Sequence, residues 1–143
     1  MHPDNLPNFS SFKSAVPLQI RFNDIDILGH LNNTVYFSFY DTGKAWFFKS
    51  IFNGEINWRK VETVIANVDC AYVAPIYFGD EIEVRTRCME IHEKSFRLQQ
   101  IIIDRNGQLK SCAETVMVCF DPETKSSQPL PLHWRTALEN SCK

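Results

Sequence analysis

Hydrophobic and polar positions along the chain follow two different periods. Residues 16–22 alternate apolar and polar side chains, which predicts a half-buried strand. Residues 33–52 form a long apolar segment whose polar positions recur at steps of three and four, and this predicts a helix buried around most of its circumference. Gly43 in its middle costs about 1 kcal/mol relative to alanine, so we expect the helix to approach a strand closely there. The narrow polar stripe comprises Thr34, Ser38, Asp41, Thr42, small Ala45 and Lys49.

The second half of the chain has the pattern of strands joined by short turns. After a loop at 53–62, strand-like segments follow at 64–72, 82–88, 95–104 and 109–120. Asn106-Gly107 between the last two is a strong hairpin signal. Residues 1–14 are predicted to be a loose lead-in, and a proline-rich tail over 121–143 contains a short amphipathic end at 133–138. We therefore predict an α+β fold, with an antiparallel sheet of about five strands wrapped around one long helix.

Length and composition narrow the class of protein. The 143 residues predict a single domain over 1–143, and 44% hydrophobic with 22% charged residues is typical of a globular chain. The net charge of −2 argues against nucleic acid as a partner. The polar N-terminus has no secretory signal and no apolar run is long enough to span a membrane, so we expect a cytoplasmic protein.

The five cysteines do not have the spacing of a disulfide framework or a zinc site. Their number is odd and no C-x-x-C occurs; they are Cys70, Cys88, Cys112, Cys119 and Cys142. Four fall inside predicted strands, so we expect reduced, buried side chains rather than a catalytic thiol. Apolar side chains also occupy outward positions of these strands, namely Ile65, Ala71, Ile101 and Ile103. They favour a homodimer or a larger assembly.

The segment 21–36, RFNDIDILGHLNNTVY, concentrates the polar chemistry. Two carboxylates, an imidazole and two carboxamides precede the start of the predicted helix. The first N–H groups of a helix have no internal partners, so they can polarise a carbonyl and stabilise a developing oxyanion. A carboxylate beside that carbonyl carbon could attack it or activate a water molecule. The segment therefore holds the parts needed to hydrolyse an activated acyl group.

Simpler interpretations of the same residues stay open at this point. Asp24 and Asp26 could be ordinary capping or turn residues. A calcium loop of the EF-hand kind is excluded, because its fifth and twelfth positions would be Leu28 and Val35. His30 has no second ligand at helical spacing, so we expect no metal site.

The stretch RFNDIDILGHLNNTVYFSFYDTGK resembles the D-x-D-x-x-G-H-(V/L)-N-N-x-x-Y signature of hotdog-fold thioesterases of the 4-hydroxybenzoyl-CoA thioesterase type. Weaker agreement continues at Pro75, Gly79-Asp80 and Lys94-Ser95-Phe96, so the resemblance covers about residues 16–138. It implies a long helix wrapped by an antiparallel sheet, and dimers that pair edge to edge and often associate into homotetramers.

The resemblance also implies roles for individual residues. Asp26 matches the catalytic carboxylate, as nucleophile or general base, and the N–H near Asn33 matches the group that polarises the thioester carbonyl. His30 and Asn32 occupy pocket-side positions that orient substrate or water, whereas Asp24 supports the loop. A thiol leaves readily at a pKa of about 8.5, so this machinery needs no cofactor.

The implied substrate is a small-molecule acyl-coenzyme A. Candidate liners of the acyl pocket, each of which could equally be core, are Tyr36, Trp46, Phe47, Trp58 and Tyr72; core is favoured for Phe47. The turn with His92, Lys94 and Ser95 is the candidate contact for the CoA phosphates, whereas Arg85, Arg87 and Arg97 fit a solvated strand face. The charge of −2 favours CoA over an acidic carrier protein. Two alternatives remain: a non-catalytic acyl-CoA-binding hotdog domain and, third, a hydratase or dehydratase.

Overall fold

This computed structural model describes residues 2–60 and 62–143. They contain six antiparallel strands and two α-helices, joined by loops and short 3-10 turns. The sheet has the order β1-β3-β4-β5-β2, and the short β6 pairs with the end of β5. The predicted antiparallel sheet with one long helix, the hotdog arrangement, is confirmed. The elements are β1 Ser14–Leu18, α1 Val35–Ile51, β2 Thr63–Tyr72, β3 Ile82–Ile91, β4 Ser95–Asp104, β5 Leu109–Asp121, β6 Ser126–Ser127 and α2 Leu132–Ser141.

Helix α1 packs across one face of the sheet at very short range. A Cβ atom built on Gly43 would lie 2.9 Å from Val84 Cγ2 on β3 and 2.7 Å from Gln100 Nε2 on β4. The expected close approach at this glycine is therefore confirmed, because any larger residue would collide with the sheet. The aromatic side chains of α1 that face the sheet are fully buried; they are Tyr36, Phe39, Tyr40, Phe47 and Phe48.

The expectation that α1 is buried on most sides is wrong. Phe37 is 42% exposed and Trp46 is 49% exposed, whereas Lys44 is buried. The sheet covers one side of the helix, so apolar residues that flank the polar stripe stay accessible. The ammonium group of Lys49 lies over the Trp46 ring, 4.7 Å from its centroid.

Strand β1 lies earlier in the chain than predicted. It covers Ser14–Leu18, where Pro17 is accommodated because β1 is an end strand of the sheet. Residues Phe22–Asp24 instead form a 3-10 turn, and the Phe22 side chain is exposed rather than buried. The turn forms because Asp24 accepts a hydrogen bond from the Arg21 main chain, 2.8 Å.

The N-terminal segment is not the loose lead-in that its polarity predicted. Phe12 is 2% exposed and packs with Ile101, Ile103 and Cys112 on the face of the sheet opposite to α1. Met1 lies outside the described residues. Ile101 and Ile103 therefore do not provide the apolar surface for assembly that their outward positions predicted, because the chain itself covers both of them. Ile65 remains 45% exposed.

The C-terminal tail closes the far end of the fold. The predicted amphipathic end at 133–138 is part of the ten-residue helix α2. Trp134 and Leu138 of α2 are buried, and the Trp134 ring lies 5.3 Å from Phe48 and 6.0 Å from Phe96. In the described part of the chain, neither helix has the length and apolar character needed to cross a membrane.

Candidate active site at the start of the long helix

The loop before α1 is anchored by Asp24. This buried carboxylate accepts hydrogen bonds from Arg21 N at 2.8 Å and Arg21 Nη2 at 3.1 Å. Burial by itself would raise the pKa of Asp24, but the two hydrogen bonds and the charge of Arg21 outweigh it and hold the pKa below its usual value. The Asp24 carbonyl accepts from Asn32 N at 2.9 Å, which ties the two ends of the loop together. Asp24 thus has the supporting place predicted for it.

Asp26 lies inside this tied loop rather than in bulk water. Its N–H donates to the His30 carbonyl at 3.0 Å, and its Oδ1 accepts from Leu28 N at 2.9 Å. Gly29 makes the turn at a φ of +87°, a conformation that favours glycine. The Nδ1 atom of His30 lies 4.0 Å from Asp26 Oδ1. The carboxylate of Asp26 and the imidazole of His30 are thus neighbours within this loop.

The turn that leads into α1 contains an N–H group without a partner. Asn32 Oδ1 accepts from Thr34 N at 3.0 Å and from Thr34 Oγ1 at 2.8 Å, so the Asn32 side chain closes this turn and is not among the residues that line the pocket. The Asn33 carbonyl accepts from the Tyr72 hydroxyl at 3.1 Å. Among the hydrogen bonds of residues 2–60 and 62–143, none uses the Asn33 N–H.

These groups border one pocket of about 420 Å³. Asp26, His30 and Asn33 supply its polar side, and two tyrosines form an aromatic wall. The Tyr36 and Tyr72 rings meet edge to face at 4.9 Å. Burial, with smaller contributions from Tyr72 and Cys70, raises the pKa of Tyr36 to about 12, so its hydroxyl stays protonated. The apolar remainder consists of Leu28, Leu31, Val73, Ala74 and Pro75.

Lys110 holds the pocket wall formed by residues 73–75. The sequence analysis did not identify this lysine. Its main-chain carbonyl accepts from Val73 N at 2.9 Å and Ala74 N at 3.1 Å, and its ammonium group donates to the Pro75 carbonyl at 3.2 Å. Ile76, next to Pro75, accepts from Leu31 N at 2.7 Å, so this wall is bonded directly to the Asp26 loop. Lys110 is the extra residue of a bulge in β5. A lysine inside an apolar strand was the available signal.

Other predicted site residues lie away from the pocket within one chain. Trp58 follows the C-terminal end of α1, whereas the pocket is at its N-terminal end, about 25 Å away for a 17-residue helix. His92, Lys94 and Ser95 lie at the turn between β3 and β4, at the other end of strands about 30 Å long. Phe47 is core, as favoured from sequence.

Four cysteines lie in strands as expected, whereas the arginines predicted to form a solvated strand face are partly buried. All five cysteines are free, and burial raises the pKa of Cys70, Cys88, Cys112 and Cys119. A raised pKa disfavours the thiolate, so none of these four has the environment of a nucleophile. The Arg85 and Arg97 side chains pair with Glu83 and Glu114 at 3.0 and 3.3 Å on the face of the sheet opposite to α1.

Comparison with known proteins identifies the class that this fold and pocket define. Residues 20–138 match the model of the thioesterase-like superfamily, and the chain belongs to that family. The hotdog thioesterase recognised from the signature at 21–44, and with it a hydrolytic enzyme, are confirmed.

The sequence identity to individual relatives is low. The chain is 24% identical over 131 residues to the long-chain acyl-CoA thioesterase FadM of Escherichia coli K12, covering 88% of this chain and 97% of FadM. It is 23% identical over 117 residues to the acyl-CoA thioester hydrolase YbgC of Escherichia coli O6:H1, covering 80% and 87% of the two chains. The structure of a thioesterase from Thermus thermophilus, complexed with coenzyme A and Zn, superposes with a TM-score of 0.79 at 28% identity, covering 88% and 91%.

Proposed function

We propose that this enzyme hydrolyses acyl-coenzyme A thioesters to a free acid and coenzyme A in the pocket at the start of α1. The observation that carries the proposal is that Asp26 and Asn33 line the same cavity, and that the Asn33 N–H has no hydrogen-bond partner among the described residues. The names of FadM and YbgC, and the coenzyme A bound to the Thermus thioesterase, support the substrate class.

The geometry supports different roles for the Asn33 N–H and the Asp26 carboxylate. The thioester carbonyl oxygen accepts from the Asn33 N–H, which carries the partial positive charge of a helix start. Asp26 either attacks the carbonyl carbon, giving an enzyme-bound anhydride that water then cleaves, or removes a proton from the attacking water. In both routes the C–S bond breaks and coenzyme A leaves as a thiolate that takes up a proton. His30, 4.0 Å from Asp26, orients the carboxylate or the water.

The test is a thiol-release assay over a panel of acyl-CoAs that compares wild type with Asp26→Asn. The variant is nearly isosteric, so we expect an unchanged circular dichroism spectrum and a fall in kcat of about 10²-fold or more, as for a lost positioned base. Asp4→Asn, at an exposed carboxylate, is the matched control.

Two outcomes contradict the proposal. Binding of acyl-CoAs without thiol release from any of them would favour the non-catalytic ligand-binding alternative. Near-full activity of Asp26→Asn would remove Asp26 from the mechanism. A single turnover in H₂¹⁸O tests for the anhydride: an unlabelled acid together with ¹⁸O in the Asp26 carboxyl group requires attack by Asp26, with water then cleaving the anhydride at the Asp26 carboxyl carbon. Base catalysis puts the ¹⁸O in the acid and none in Asp26.

We also infer a homodimer through the free edge of β2. This strand is the end of the sheet, Val64 and Ile65 on it are each 45% exposed, and Tyr72 at its end lines the pocket. A second copy paired there would border the pocket. If the two β2 strands pair antiparallel, the end of the second sheet that carries its β3–β4 turn lies near the pocket of the first copy. In that arrangement residues 92–95 of the second copy contact the CoA phosphates.

The phosphate contact has its own test. Lys94→Met should raise KM several-fold for an acyl-CoA and leave kcat unchanged. The same acyl group on pantetheine, which lacks the nucleotide phosphates, serves as the control substrate, and its KM should not respond. An equal effect on both substrates would show that Lys94 does not contact the phosphates.

A further inference from the structure

The face of the sheet that looks away from α1, here called the outer face, carries an apolar patch. The patch consists of Ala71, Ile101, Ile103, Leu109 and Cys112, contributed by β2, β4 and β5. Ile101 and Cys112 have no exposed surface, although neither α1 nor α2 packs against them. They are buried because Leu6, Phe9 and Phe12 of the N-terminal segment lie over them.

The covering segment, residues 3–12, has a defined conformation of its own. It contains two 3-10 turns, and Asn8 caps the second by accepting from Ser10 N at 3.0 Å and Ser10 Oγ at 2.9 Å. The Ser11 hydroxyl donates to the Asn8 carbonyl at 2.7 Å. These local bonds present Phe9 and Phe12 toward the sheet.

Two arginines of β3 attach the segment to the outer face. Arg85 Nη1 donates to the Phe9 carbonyl at 3.2 Å, and the Arg87 guanidinium lies 5.5 Å from the Phe12 ring centroid. Arg85 is itself held by Glu83 at 3.0 Å, and Arg87 Nε donates to Gln99 Oε1 at 2.8 Å. The segment is therefore docked through specific side-chain contacts as well as through apolar burial.

Charged side chains also lie on the outer face. Arg97 lies between Glu90 and Glu114, at 3.4 and 3.3 Å, and Gln99 Nε2 donates to Glu114 at 3.4 Å. A second copy placed on this region would have to remove water from these ions, which is costly. With the segment in place, the isoleucine and cysteine side chains of the patch are buried and ion pairs lie beside them.

We infer that residues 3–12 act as a built-in cover that keeps a second copy of the chain off the outer face. Two copies related by a twofold axis present the same patch to each other, so an uncovered patch of isoleucine and leucine is self-complementary. The cover removes this mode of association and leaves the edge of β2 free. The inference rests on the fold alone and does not depend on Asp26.

The experiment is analytical ultracentrifugation of the full chain over a wide concentration range. The double variant Phe9→Ala/Phe12→Ala should increase in mass with concentration, toward twice the mass of the wild type. The matched control is Phe22→Ala/Phe78→Ala, which removes two exposed phenylalanines elsewhere and should keep the wild-type mass. Adding Ile103→Glu to the first variant places a charge in the patch and should return the mass to that of wild type.

Three results would overturn the inference. The first is a double variant with the wild-type mass at every concentration and amide exchange showing residues 3–12 released. The second is a mass increase that Ile103→Glu does not reverse. The third is a wild type that already assembles through the outer face, seen as loss of association on Arg97→Glu. If the double variant does not fold, Phe9→Ala alone, at a half-buried ring, provides the same comparison.

Discussion

The side-chain amide of Gln100 occupies the space that a side chain on Gly43 would need. The Gln100 amide passes over the glycine to donate to the Tyr40 carbonyl at 3.0 Å and to Thr86 Oγ1 at 2.9 Å, and a Cβ at Gly43 would lie 2.7 Å from its Nε2. This buried amide ties α1 to the sheet in the middle of the core. It explains why a glycine is tolerated at the centre of a 17-residue helix.

Gly43→Ala should destabilise the protein even though alanine is the better helix former. The added methyl group displaces the Gln100 amide and Val84, and overpacking of this kind costs about 1–3 kcal/mol, which exceeds the gain of about 1 kcal/mol in helix propensity. Urea denaturation measures the change. Ser38→Ala, on the exposed face of α1, is the control and should be neutral or slightly stabilising; a stabilised Gly43→Ala would contradict the tight contact.

Asp24 should make stability depend on pH in the acid range. Its pKa is lower in the folded than in the unfolded protein, so its contribution is fully present above about pH 3.9, the unfolded value, and is lost as the pH falls through the folded value. The difference in unfolding free energy between wild type and Asp24→Asn should therefore shrink from pH 5 downward. A difference that stays constant to the lowest pH would mean that Asp24 is not charged in the folded state.

The two tyrosines of the pocket offer a matched pair of substitutions. Tyr72→Phe removes the hydroxyl that donates to the Asn33 carbonyl, so it should loosen the helix start and lower kcat by about threefold to tenfold, the worth of a hydrogen bond of about 1 kcal/mol. Tyr36→Phe removes a hydroxyl for which no hydrogen bond occurs among the described residues and should change kcat less. Steady-state kinetics on one acyl-CoA measures both. The opposite order of effects would give Tyr36 a direct contact with the substrate.

Lys110 should act through the pocket wall that it holds. Lys110→Met keeps most of the side-chain volume but leaves the Pro75 carbonyl without its donor, at a cost of about 1–3 kcal/mol. We expect a lower melting temperature and, because Pro75 borders the pocket, a raised KM for acyl-CoA. Lys60→Met, at an exposed lysine beyond the C-terminal end of α1, should change neither quantity. A stability loss with unchanged KM would restrict Lys110 to a structural role.

Periodicity and local motifs predicted most of the fold. Segments 95–104 and 109–120 alternate or are continuously apolar, and the strands found there differ from the prediction by at most one residue. The loop at 21–36 was singled out because its polar residues crowd the start of an apolar helix, and the structure does bring Asp26, His30 and Asn33 to one pocket.

The parts that sequence could not provide depend on contacts between distant segments. Phe12 covers Ile101 and Ile103 from about 90 positions away in the chain, and nothing local to either segment records that contact. Lys110 faces the wall at Pro75 because of a bulge, which shifts side chains between faces and leaves no periodic trace. Asn32 was placed at the pocket by its motif, whereas its side chain accepts from Thr34 in the turn before α1.

The strand order has a consequence for how the chain is made. Both end strands, β1 and β2, are synthesised before β3 and β5, the partners with which they pair. Helix α1 therefore leaves the ribosome with its apolar side uncovered, and β2 has no neighbour until residues up to Asp121 have emerged. Such non-local pairing slows folding and exposes the nascent chain to aggregation. A ribosome-bound fragment ending before β5 should accordingly be protease-sensitive, and protection should arise only once β5 is complete.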